Sequence, residues 1–389
     1  MTDTDKLKNK INSESKSTSK STSTPAKSKN KIKSDSSSNS DSKSNSKKSK
    51  LKTKSIFLDE DEESDDDIIY VANTCIVPNS NSNSNSNSII KTNIVRPKTR
   101  ITQSLLSYMF INANYYNFKS WDKCFPDGNV SLRSLVKNPE WDEFFDSVES
   151  KEYFKQIELE LGNYIIKESK KTILPYAELT FNIFNILSPS KIKVIIIGQD
   201  PYISTNNIKN KEVPQATGFS FSVPLNYGKL PPSLVNIYNN LVKYGHMEKL
   251  PEHGSLTYWI LQGCFLMNAS FTTFRGLSNA HSKIWEKFTQ DLLLYINNKC
   301  SNVVFLVWGK FAHNLCMNIN ANKHHLITSS HPSPYSVSNT FMGKKYITDK
   351  NNKNNDMLYP SFNDTDHFHL VNKYLESKSR DGILWNQIY

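Results

Sequence analysis

Three stretches of the chain end in side chains suited to chemistry on a small ring. "KVIIIGQDPY" (residues 193–202) delivers Gln199 and Asp200 directly after a run of four β-branched residues. "LQGCFLMNAS" (261–270) delivers Asn268 after a second apolar run, and "HLITSSHPSP" (325–334) delivers His331 after a third. A carboxylate can orient water and stand opposite a developing positive charge, and an imidazole can donate a hydrogen bond to a leaving group. The Asn268 carboxamide offers one acceptor and two donors in a plane, which fits the edge of an amide-like heterocycle. Phe221, in "GFSFSVP" (218–224), supplies a flat face on which such a ring can stack. Each residue also has a plain structural role: Asp200 beside Pro201 as a turn cap, Asn268 as a partner for local backbone, His331 and Phe221 as core.

The elements that would position these groups follow from hydrophobic pattern. "KVIIIG", "CFLMN", "VVFLVWG" and "HLITSS" are short apolar runs with the length and β-branched content of buried strands. Between and before them lie helical patterns, including "KEYFKQIELELGNYIIKES", "PSLVNIYNNLVKYG" and "IWEKFTQDLLLYINNK". "PEWDEFF" has the proline and early acids of a helix start. Strands alternating with helices predict an α/β domain with a central four-stranded, mainly parallel sheet flanked by helices. In such sheets ligands sit just past the carboxyl ends of the strands, where Asp200, Asn268 and His331 would meet.

Composition divides the chain of 389 residues. Residues 1–95 are rich in Ser, Lys and Asn and poor in apolar runs, so they bury too little to offset the entropy of ordering and are expected to be a disordered tail. Within the tail, residues 1–55 carry 15 basic against 5 acidic residues, and "DEDEESDDD" (59–67) adds eight acids. The net charge of +11 therefore comes mostly from the region after residue 67, which points to a polyanionic partner. "KSNSKKSKLKTK" (43–54) has the composition of a nuclear import signal or a loose nucleic-acid tether. Five scattered cysteines without CxxC spacing suggest a reducing compartment rather than a disulfide frame or zinc site. With no apolar run of membrane-spanning length, the expectation is a soluble intracellular protein, in a nucleus or at a viral replication site, with no membrane partner.

The motifs of other chemistries are missing: no GxxxxGK[ST] phosphate loop, no HExxH metal helix, no GxSxG elbow. Neither a metal nor an organic cofactor is expected. "GQDPYI" (198–203) and "HPSPYS" (331–336) closely resemble the GQDPYH and HPSPLS motifs of the family 1 uracil-DNA glycosylases. "GFSFSVP", "LPPSLVNIY", "LQGCFLMNAS", "WEKFT" and "VVFLVWG" match in the same order, so the resemblance spans residues 138–389, and residues 96–137 form a partly helical extension before it.

This resemblance implies a monomeric hydrolase that excises uracil from DNA after base flipping, initiating base excision repair. It assigns Asp200 to the attacking water and the sugar cation, and His331 to uracil O2. Asn268 would read O4 and N3, Tyr202 would exclude a thymine methyl, Phe221 would stack and Gln199 would line the pocket. DNA contacts would fall on Pro231, Pro232 and Ser233, on Gly309 and Lys310, and on Ser333 and Tyr335.

Four departures from the family pattern stand out. Ile203 replaces a histidine, Tyr335 a wedging leucine and Lys310 a serine, and the chain is longer after Tyr202 and after Gly343. These changes also suit a DNA-binding scaffold that has lost its chemistry; a mismatch-directed relative fits less well, because such relatives typically carry another residue in place of Asp200. Outside the matched region, "QSLLSYMF", from Gln103 to Phe110, has the spacing of a sliding-clamp docking box and equally that of a helix packed on the domain.

Overall fold

The computed structural model describes residues 116–168, 171–346 and 356–387. The tail to residue 95 and the segment from Gln103 to Phe110 lie outside the described residues. Ten strands are present among them: β1 (Ile173–Leu174), β2 (Val194–Gly198), β3 (Thr205–Ile208), β4 (Lys211–Pro214), β5 (Cys264–Asn268), β6 (Thr273–Phe274), β7 (Val304–Trp308), β8 (His325–Ser329), β9 (Phe341–Lys344) and β10 (Asp356–Tyr359).

Each of the four apolar runs forms a strand of one parallel sheet, in the order β5-β2-β7-β8. Every residue of β2, β5 and β7 is buried, as a sheet covered on both faces requires. The helical patterns also appear, as Glu152–Lys167, Pro232–Lys243 and Ser282–Lys299. At "PEWDEFF" the chain enters through a 3-10 turn, Pro139–Trp141, before the helix Asp142–Glu149, and the Asn138 side chain accepts the Glu140 amide as its cap. Just upstream the chain forms a separate 3-10 turn, Arg133–Leu135, and Asn138, directly before Pro139, is extended.

One face of the sheet rests on an aromatic cluster in which Trp141, Phe144, Phe184, Phe271 and Phe288 meet with ring centroids about 5 to 6 Å apart. Residues of the 116–137 segment, Trp121 and Leu132 among them, are buried in the same core. The two longer loops each carry an antiparallel hairpin, β3–β4 after Tyr202 and β9–β10 around Gly343. No helix among the described residues is long and apolar enough to cross a membrane.

Candidate active site

Strand register brings the first two groups together. Gly198, the last residue of β2, is paired with Asn268, the last residue of β5. The pairing continues past the strands, with Ala269 N donating to Gly198 O (2.9 Å) and Ser270 N to Gln199 O (3.0 Å). Gln199 and Asp200 therefore emerge level with the Asn268 carboxamide. A side chain at Gly198 would displace the carboxamide, since a Cβ would stand 2.3 Å from Asn268 Oδ1.

On the other side of β2, strands β7 and β8 end together, with Trp308 paired to Ser329. Gly309 follows in the left-handed region (φ +89°), and a Cβ there would lie 2.9 Å from His331 Cβ. Glycine thus lets the β7 loop lie against the histidine. The ring of His331 is fixed from its own loop: the Ser333 amide donates to Nδ1 (3.0 Å), and Ser336 Oγ donates to the His331 carbonyl (3.0 Å). Because Nδ1 is an acceptor, the neutral imidazole carries its proton on Nε2. Burial pushes the His331 pKa down to about 4, so the neutral form prevails at ordinary pH.

Gln199, Asp200, Tyr202, Phe221, Asn268 and His331 all line one cleft at the carboxyl end of the sheet, and Ser233 reaches its rim. Phe221 is buried in the left-handed region (φ 62°), a conformation that costs a non-glycine residue roughly 1–2 kcal/mol. Its carbonyl accepts the Tyr202 hydroxyl (3.1 Å), and its ring packs edge-on to Trp308 (5.5 Å) and beside His331 (5.8 Å). Burial of Tyr202 raises its pKa, which keeps the hydroxyl protonated for that bond.

The remaining predicted positions do not line the cleft. Pro231 and Pro232 open the helix Pro232–Lys243, and Asn236 on that helix donates to the Pro332 carbonyl (2.8 Å), tying it to the histidine loop. Lys310 is exposed in the first turn of Gly309–Leu315, Ser333 shares a hydrogen bond with Ser336 (2.9 Å), and Tyr335 is 93% exposed.

Sequence reasoning missed Ser278 and Asn279. Ser278 Oγ (2.8 Å) and the Asn279 amide (2.7 Å) both donate to Asp200 Oδ2, and Ser278 lines the cleft. The signal was a polar loop, "GLSNAHS", that leaves the β5 side of the sheet shortly after Asn268. Phe219 also lines the cleft and went unnoticed, since an apolar residue next to Phe221 reads as core.

The strand ends of the parallel sheet thus gather a carboxylate, a carboxamide, an imidazole and an aromatic ring around one cleft. A model of the uracil DNA glycosylase superfamily matches residues 184–353. A probable uracil-DNA glycosylase of Acanthamoeba polyphaga mimivirus is 47% identical over 296 residues, covering 76% of each chain. The uracil-DNA glycosylase of Psychromonas ingrahamii is 40% identical over 212 residues, covering 54% of this chain and 93% of the relative. The crystal structure of mimivirus uracil-DNA glycosylase superposes with a TM-score of 0.67 at 49% identity, covering 72% of this chain and 97% of that one. The chain belongs to the uracil-DNA glycosylase family.

Proposed function

We propose that this protein hydrolyses the N-glycosidic bond of deoxyuridine in DNA, releasing uracil and leaving an abasic site. The observation that carries the reading is the convergence of Asp200, Asn268 and His331 on one cleft, with His331 Nδ1 occupied so that its Nε2–H is left to donate.

The target base is flipped out of the stack to enter the cleft and stacks on Phe221. Asn268 reads O4 and N3; cytosine presents a donor where an acceptor is required and is refused. Tyr202, held by its bond to the Phe221 carbonyl, forms the wall that meets C5 and excludes the thymine methyl. As the C1′–N1 bond breaks, the electron pair leaves with the base, and His331 Nε2–H stabilises the charge that gathers on O2. The Asp200 carboxylate faces the cationic sugar. The oxygen of a water molecule bonds to C1′, and Asp200 accepts its proton.

Pro231, Pro232 and Ser233 at one helix start, Gly309 and Lys310 at another, and Ser333 in the histidine loop would contact phosphates, and Tyr335 would enter the space vacated by the flipped nucleotide. A separate proposal concerns the segment from Gln103 to Phe110, which would dock on a sliding clamp; clamp capture undiminished by Gln103→Ala with Phe110→Ala would end it.

Uracil release from single- and double-stranded oligonucleotides, followed by alkaline scission at abasic sites without added metal, tests the reading. Asp200→Asn is expected to lower the rate by about 10²- to 10⁴-fold, the usual span for a positioned acid–base group. His331→Leu should cost a similar factor. Full activity in the double variant, or no release by the parent protein, refutes the proposal.

A further inference from the structure

The loop that grips Asp200 is itself gripped. Gly276 N donates to Ile203 O (2.9 Å), Arg275 N donates to Thr172 O (2.8 Å), and Thr273 Oγ1 donates to Leu277 O (2.6 Å). Across the inserted hairpin, the Arg275 guanidinium pairs with Glu212 of β4 (2.5 Å), whose carboxylate also accepts from Thr205 Oγ1 of β3 (2.9 Å). The residues before Ser278 are thus tied to β1, to the end of the Asp200 turn and to the extra hairpin.

We propose that Ser278, together with the Asn279 amide, is the positioning residue for the Asp200 carboxylate, and that the hairpin inserted after Tyr202 braces the loop that carries it. Two donors on Oδ2 stop the carboxylate from rotating and leave Oδ1 to meet the water and the sugar. Asn279 holds its own backbone in the left-handed region (φ 59°), which turns its amide toward Asp200. Ile203, where the family motif has histidine, has no side-chain polar atom to offer beside the carboxylate. The polar support comes instead from Ser278 and Asn279, on the loop that is hydrogen-bonded to the Ile203 carbonyl.

This inference rests on the uracil-excision reading and deepens it. Its test is single-turnover and steady-state uracil release by the full chain, with melting curves for each variant. Ser278→Ala is expected to lower kcat about 10-fold or more with KM within about twofold, the pattern of an interaction that matters in the transition state rather than in binding. Ser278→Thr, which keeps the hydroxyl, should restore kcat to within about threefold of the parent. In an Asp200→Ala background, loss of the Ser278 hydroxyl should change the residual rate less than about twofold, because the group it positions is gone.

A Ser278→Ala rate equal to the parent's, an unrestored rate in Ser278→Thr, or the same fold-loss in both backgrounds overturns the assignment. Ser278 is exposed, so a fold defect is not expected, and a melting temperature lowered in step with kcat would also count against it. A parent protein that releases no uracil would instead fell the underlying reading and this inference with it.

Discussion

Tyr335 stands almost wholly in solvent on the loop that fixes His331, and its carbonyl accepts from Asn339 Nδ2 (3.0 Å). An exposed ring so close to the cleft has no packing role in the protein itself. Under the proposed function it would stack against bases when a nucleotide leaves the duplex, an interaction worth roughly 1–3 kcal/mol per base. Tyr335→Ala is expected to reduce kcat/KM on duplex uracil-DNA by about 10-fold, and on single-stranded substrate by clearly less, since no stack is opened there. Comparison of the two substrates decides it: equal losses would mean that the ring serves some other purpose. Tyr202 contrasts with it at the same scale. Its hydroxyl is committed to the Phe221 carbonyl, so a smaller side chain there would loosen the hold on Phe221 and its left-handed backbone.

At the scale of elements, the site depends on strand ends that come within contact of each other. Gly309 ends β7 in a conformation that disfavours any other residue, with the His331 Cβ in the space where its own would stand. Gly309→Ala carries a left-handed backbone penalty of about 1–2 kcal/mol and must also push His331 aside. A stability loss of that order is expected in denaturant melts, together with a fall in kcat as the imidazole shifts. A variant that melts normally and turns over normally would show that the two loops are not in the contact described. The β5-β2-β7-β8 order acts on a larger scale: β5 and β7 flank β2 on opposite sides, so the chain leaving each of them brings its groups to the same carboxyl end as Asp200.

For the whole molecule, buried histidines make acid the condition to watch. His281 and His367 are 1% and 0% exposed, and burial pushes their pKa values down to about 4 and about 3. In the unfolded chain both titrate near the ordinary value of roughly 6.5, so between that pH and the folded values the unfolded state binds more protons. Their contribution is complete above about pH 6.5 and is lost as pH falls toward 4, on the order of 3 kcal/mol for each. The melting temperature is expected to drop steadily from pH 7 to pH 4.5, and a flat profile over that range would contradict the buried neutral state. His331 should stay neutral through most of the same window, so its imidazole keeps the Nε2–H donor there.

Much of this molecule is local in origin. The four strands, the long helices, the parallel sheet and the cleft at its carboxyl edge follow from runs of β-branched residues, helical spacing and the residues that interrupt them, because those patterns act over a few neighbours. Asp200, Asn268 and His331 stood out for the same reason, each lying at or just beyond the end of an apolar run. What the linear chain does not carry is distance between segments. The pairing of Gly198 with Asn268, the grip of Ser278 and Asn279 on a carboxylate 78 and 79 residues away, and the amide that fixes the His331 tautomer arise only when register and loop packing bring those segments together. Hydrogen bonds act over about 3 Å, and only the tertiary fold decides which groups come that close.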